Sequence, residues 1–226
     1  RYGSSAASDV YKRQAINNDG TIPSIVSANP DAGFSVVHYV SNTPLDQFAV
    51  GHGLTSAPEI IIQKRISATS DWYAITTAID GSVDYIKFNS SLAKYDMTGG
   101  NANFTLGSSA FSNWWNAGET IINYCFHSVA GYSKIGTYTG TGSAGKSVTT
   151  GFQPSWLVIK RTNGSGDWNT WDAERGNQSI VWANGSNAEA TNSAYEILFN
   201  STGFVVNATT SFANGNNDSY VYMAFK

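Results

Sequence analysis

The sequence predicts an all-β protein: an antiparallel β-sandwich of jelly-roll or lectin-like type, made of two tandem equivalent repeats. Three observations predict it. Short apolar or alternating runs recur between turn residues, no segment sustains a 3.6-residue period, and one phrase occurs twice. The phrase is Ala57-Pro58-Glu59-Ile60-Ile61-Ile62-Gln63-Lys64-Arg65, then Gln153-Pro154-Ser155-Trp156-Leu157-Val158-Ile159-Lys160-Arg161. Each copy has a proline, an apolar run and a basic pair, followed a few residues later by Asp71-Trp72 or Asp167-Trp168. A run this short and rich in β-branched residues reads as a buried strand. Proline stands at its start, where a missing N–H does least harm.

The elements follow in order. Residues 15–32 hold turn signals around one short apolar piece and read as a linker with at most one strand. From Gly33, Phe34, Val36 and His38 alternate with Val37 and Tyr39. Residues 48–54 form a second strand ending in glycines. After the repeated phrase come strands at 71–77, 84–89, 104–106 and 120–129, with a hairpin-type turn at Asp80-Gly81. From Gly131 the order returns. Gly131-Tyr132-Ser133 repeats Gly33-Phe34-Ser35, and Gly151-Phe152 repeats Gly53-Leu54. Residues 179–184 stand where 85–89 stood, 203–206 match the region of Phe104, and 219–225 echo 120–126. The spacing from Gly33 to Gly131 is 98 residues, a whole small domain rather than a solenoid unit. The repeats are therefore 33–130 and 131–226. Almost no linker separates them, so they are docked tightly or are halves of one larger sandwich.

Composition excludes several functions. Of 226 residues 41% are hydrophobic and only 13% charged, about half the usual charged share. Solubility then rests on Ser, Thr, Asn and Gly. A net charge of -3 offers no basic patch for nucleic acid. No apolar run is long enough for a membrane-spanning helix. The single cysteine, Cys125, excludes an internal disulfide and reads as a small buried hydrophobe. His38, His52 and His127 match no zinc spacing, so neither a metal nor a cofactor is expected. Asp71, Asp84, Glu119, Asp172 and Glu174 could pair as glycosidase carboxylates. Any chain with 16 acidic residues offers such pairs, and no catalytic motif accompanies these. A glycan-cleaving sandwich enzyme is the weakest reading, and a non-enzymatic protein is expected.

The segment Ser4-Ser5-Ala6-Ala7-Ser8-Asp9-Val10-Tyr11-Lys12-Arg13-Gln14 resembles the in-frame translation of a transposase adapter used to prepare DNA sequencing libraries. It lacks the apolar stretch of a leader. Residues 1–14 are therefore expected to be an assembly artefact from an environmental sample that packs on nothing, the chain being a fragment.

A second resemblance covers residues 33–226. Ala28-Asn29-Pro30 leads into Gly33-Phe34-Ser35-Val36-Val37, Gly51-His52-Gly53-Leu54 precedes Ala57-Pro58, and Tyr124-Cys125-Phe126 leads into Gly131-Tyr132-Ser133-Lys134-Ile135-Gly136-Thr137-Tyr138-Thr139-Gly140. Tyr220-Val221-Tyr222-Met223-Ala224-Phe225 closes the set. Together these phrases resemble a repeated domain of bacteriophage virion proteins, especially tail-fibre-like proteins of marine phages. The resemblance implies a structural or host-contact role on the virus particle. The partners it implies are other virion proteins and host-surface carbohydrate.

Comparing the two copies separates fold from function. A residue type shared by both is demanded by the fold, and one found in a single copy is freer to serve function. Trp72 and Trp168 are shared and read as core, with their aspartates as hydrogen-bonding groups. Trp156 replaces Ile60 and Trp182 replaces Phe88, so both also read as core. Lys64-Arg65 and Lys160-Arg161 read as solvated strand ends or edge-protecting charges rather than an anion site. Trp114-Trp115, flanked by Asn113 and Asn116, faces Gly215-Asn216 in the second copy. Indoles beside amides suit a sugar, the ring covering its C–H face while the amides take hydroxyls. Packing against the other repeat or another subunit is the competing reading. It goes with a purely structural spacer or a homo-oligomerising domain.

Overall fold

Alternating runs form strands throughout the described residues of the computed structural model, which are 14–42, 48–97 and 105–226. No α-helix occurs among them. The chain begins with β1 (Gln14–Asn17), β2 (Ser24–Asn29), β3 (Phe34–Val40), β4 (Ala49–Gly51) and β5 (Ile60–Arg65). Next come β6 (Trp72–Thr76), β7 (Asp84–Lys87), β8 (Tyr95–Asp96), β9 (Ala110–Ser112) and β10 (Thr120–Phe126). The remainder supplies β11 (Ser133–Thr139), β12 (Lys146–Thr149), β13 (Trp156–Arg161), β14 (Trp168–Asp172) and β15 (Ser179–Trp182). It ends with β16 (Ala190–Thr191), β17 (Ile197–Asn200), β18 (Gly203–Val206) and β19 (Ser219–Phe225).

Contacts divide the chain into two compact units. The first runs to Trp72 and resumes from Met97 to His127. The second takes 73–96 together with 128–226. In the first unit β1, β2, β3, β10 and β5 pair antiparallel in that order, and β4 pairs with β9. Period-2 alternation puts Val37, Tyr39, Ile121, Cys125 and Ile61 on one face of the larger sheet, all buried. The Tyr39 ring meets Phe111 of β9 edge-on, centroids 6.3 Å apart.

The second unit is a sandwich. The six-stranded sheet β11-β19-β13-β14-β15-β16 faces the three-stranded sheet β12-β18-β17. Leu157, Ile159, Trp171, Ile180, Tyr220 and Tyr222 from the larger sheet share one core with Val148, Phe204, Val206 and Ile197 from the smaller. Each such side chain contributes about 1.5–3 kcal/mol of burial.

The ladders repeat. Phe126 pairs with Phe34 and Ile60, and Phe225 pairs with Ser133 and Trp156. Thus β3-β10-β5 corresponds to β11-β19-β13. Likewise β6-β7-β8 corresponds to β14-β15-β16, with Tyr73 opposite Lys87 and Asn169 opposite Trp182. Trp72 opens β6 as Trp168 opens β14. The turn glycines correspond as well: Gly33 and Gly131, like Gly53 and Gly151, all adopt positive φ.

Several expectations need correction. Residues 15–32 are not a linker with at most one strand, because they supply β1 and β2, which extend the sheet beyond β3. Gln14, the last adapter-like residue, pairs with Ser27, while residues 1–13 lie outside the described residues. Trp182 stands at the place of Lys87 rather than Phe88. One residue of register exchanges the faces of a strand, so the sequence match set the wrong side chain against it. Phe104 lies outside the described residues. The counterpart of β18 is β9, since Val148 pairs with Phe204 as Val50 pairs with Phe111.

Of the four tryptophans expected in the core, only Trp168 is fully buried. Trp72 is half-buried and stacks on Tyr124, centroids 6.3 Å apart. Trp182 is half-buried at the margin of the second core. Trp156 is 37% exposed, because it opens β13 on the face away from that core and leans on Phe225. Trp171, on the core face, is the indole the second sandwich is packed around.

The units do not divide only near Ala130. Residues 73–96 fall with the second unit because residues 87–94 lie against the outer face of its six-stranded sheet. The Trp168 indole N–H donates to Lys87 O at 3.1 Å, and its ring meets Phe88 at 4.6 Å. Lys160 Nζ donates to Ser91 O, and Lys94 N donates to Thr162 O at 3.0 Å.

Candidate functional site

The sequence singles out the loop that carries Trp114 and Trp115, and its groups face inward. Asn113 is fully buried. Its amide donates to Ser41 Oγ and Trp115 O, and its oxygen accepts from the Tyr39 hydroxyl at 2.9 Å. Both indoles are half-buried, 5.6 Å apart and edge to face. Both N–H groups donate to one oxygen, Gln63 Oε1, that of Trp115 at 2.6 Å. Gln63 is itself buried and donates to Asn123, whose own amide donates to Val37 O. The Arg65 guanidinium lies 5.6 Å from the centre of the Trp115 ring. Of the four residues Asn113, Trp114, Trp115 and Asn116, only Asn116 is exposed. Asn113 therefore has no amide left for a ligand, and the indoles are tied into the sheet.

The second copy explains this arrangement. Its ladder puts Ile159 where Gln63 stands and Tyr222 where Asn123 stands. That copy has no indole pair, and its core there is apolar. The polar pair and the indoles therefore come together: a buried amide needs partners, and the indoles supply donors. The signal was present in the sequence, as two polar residues inside otherwise apolar strands of one copy only.

The basic pairs are bonded within the fold, with Lys160 buried and Lys64, Arg65 and Arg161 partly exposed. Lys64 Nζ donates to Ser70 O and Lys160 Nζ to Gly166 O, at corresponding places before Trp72 and Trp168. Arg65 pairs with Glu119 at 2.5 Å, and Arg161 with Asp218 at 2.6 Å. Each acid directly precedes the last strand of its copy. Burial pulls Lys160 down to about 8.

The histidines are structural where their bonds are defined. His52 is buried, accepts from Leu54 N and bonds Gly107 O. Burial lowers its pKa. Among the described residues the three histidines join no group close enough to share a metal. Three of the five carboxylates singled out in the sequence are ion-paired: Glu119 by Arg65, Asp172 by Arg175 at 2.6 Å, and Asp84 by Lys94 at 2.8 Å.

One concave site was not foreseen. A cleft of about 440 Å³ lies in the second unit, within the ~300–1,000 Å³ range of small-molecule sites. Thr137 and Thr139 come from the edge strand β11, Ser219 from β19, and Thr162 from the end of β13. Asp80 and Lys94, from the segment 73–96 of the same unit, also line it and form an ionic wall. Lys94 Nζ contacts three carboxylates, Asp80 at 2.7 Å, Asp84 at 2.8 Å and Asp96 at 2.5 Å. Hydrogen bonds from Lys94 and Ser82 hold Asp80 down to about 2. Burial pushes Asp84 up to about 6, although Lys94 pulls the other way and Asp96 adds to the rise. Burial disfavours the Lys94 charge, but its three carboxylates outweigh that and keep the ammonium well above the ordinary lysine value. Asp84 Oδ2 is buried without a partner.

The fold defines the class as an all-β antiparallel protein with a β-sandwich architecture. The chain belongs to the family DUF7483, described as a domain of unknown function, which it matches over residues 7–226. Comparison with curated proteins and with solved structures finds no match.

Proposed function

We propose that the chain is a non-enzymatic module of a bacteriophage tail-fibre-like appendage, exposed on the virus particle and serving as scaffold and contact surface. The observation that carries it is the duplicated ladder with its duplicated Arg–acid brace. Ionic groups are spent on cohesion in both copies, which suits a load-bearing module. The phrases that resemble phage virion repeats support the same reading. Of the acidic residues weighed for a glycosidase, Glu119, Asp84 and Asp172 are paired with Arg65, Lys94 and Arg175.

A spacer without any ligand is the second reading, favoured by the inward tie of Trp114 and Trp115 to Gln63. The test is antibody labelling of purified phage particles that encode the domain, viewed by electron microscopy. Label along the tail appendage supports the proposal. Label absent from particles but present in the infected cell overturns it.

A further inference from the structure

We propose that the cleft between the Asp80–Lys94 wall and the Thr137–Thr139 edge is a binding site for a neutral saccharide. The inference stands on the chemistry of the cleft and not on the appendage reading. Thr137, Thr139, Thr162 and Ser219 line it, and of their hydroxyls that of Thr162 is donated to Ser219 O. Thr137 and Thr139 are exposed on the strand that ends the six-stranded sheet. A hydroxyl can donate and accept, as can each hydroxyl of a sugar. Asp80 adds an acceptor that stays ionised across the physiological range, while the three N–H groups of Lys94 are already given to Asp80, Asp84 and Asp96 and hold that wall in place. Hydrogen bonds to such charged groups are the stronger ones.

The same residues argue against other ligand classes. Ile79 is the only aliphatic side chain in the lining, so an apolar ligand would leave the hydroxyls unpaired. Asn163, Tyr138 and Tyr220 complete the lining, and the two tyrosine hydroxyls are committed to Ala213 O and Ser211 O. What the tyrosines can offer is ring or backbone. Three carboxylates surround a single ammonium at the wall. This excess of negative charge disfavours phosphate, sulfate and acidic sugars, and leaves a neutral polyol as the matching class. The site is also distinct from Trp114-Trp115, which lies in the first unit.

The experiment is a titration of the isotope-labelled full chain, followed by amide NMR, with maltotriose, N,N′-diacetylchitobiose and inorganic phosphate as probes. The expected result is saturable shifts at Lys94, Thr137, Thr139 and Ser219 with one of the sugars, and none with phosphate. Asp80→Asn should weaken that binding about tenfold, the scale of one charge-assisted hydrogen bond. Thr139→Val, an exposed change that leaves the ion cluster intact, should weaken it as well without altering the melting temperature. It keeps the test valid if Asp80→Asn disturbs the loop. The proposal is overturned if neither sugar shifts the cleft amides, if the shifts map to the Trp114 and Trp115 indoles, if phosphate produces the same shifts, or if Thr139→Val binds like the parent.

Discussion

A buried glutamine that accepts two indole N–H groups is hard to replace. Gln63→Leu keeps the volume but leaves the Trp114 and Trp115 donors and the Asn123 oxygen without this partner. Each orphaned group costs about 1–3 kcal/mol, so the variant should lose roughly 2–5 kcal/mol in urea unfolding, with a change in tryptophan emission. A near-neutral result would mean that the loop simply turns its indoles outward. The indoles of the second unit should rank by burial. Trp171→Ala empties a fully buried site and should cost about 3–5 kcal/mol. Trp156→Ala, on an exposed face, should cost under ~1 kcal/mol. Denaturation of the two variants side by side checks the order. The sequence named Trp156 as core and passed over Trp171 for one reason. In Trp168-Asn169-Thr170-Trp171 the two indoles point to opposite faces, and only the neighbouring sheet decides which face is the core. Gln63 and Asn123 were visible as polar interruptions, but their pairing joins strands 60 residues apart in the chain.

The segment from β7 to β8 is the element most sensitive to pH. Asp84 is raised from 3.8 to about 6 in the folded chain. A raised carboxyl stabilises fully below its unfolded value, and that contribution is lost as pH rises through the folded value. Stability should therefore fall between pH 4 and about pH 6.5 relative to Asp84→Asn, which cannot ionise. Asp80 works in the opposite sense: its contribution is present above 3.8 and is lost as pH falls through about 2. Exposure of Asp80 to solvent keeps that effect small. Urea midpoints of parent and variant at pH 4, 5, 6 and 7 check the prediction, and parallel curves would contradict it. Strand existence here was legible, since Asp84-Tyr85-Ile86-Lys87 alternates plainly. The role of Lys94 was not, because nothing local marks a lysine that three separated aspartates will surround.

For the whole molecule, the strand order of one copy predicts that of the other, and the repeated phrase read from sequence marks the strands next to the last strand of each copy. The division into units was less legible. A cut at Ala130 follows the repeat, yet Trp168 and Lys160 donate hydrogen bonds to the carbonyls of Lys87 and Ser91. A fragment of residues 131–226 should therefore melt well below the full chain, by more than 10 °C if two buried polar groups and the Phe88 contact are lost together. Thermal denaturation of the fragment and the chain tests this, and equal midpoints would make residues 87–94 an ornament. One feature of the second unit bears on load. All seven residues of β19 are paired with β11, and six of them are also paired with β13. Tension applied at Lys226 along that strand strains two ladders lengthwise, and their bonds share the force. An edge strand pulled sideways releases its bonds one after another. A pull at this end therefore meets a shear clamp rather than a zipper.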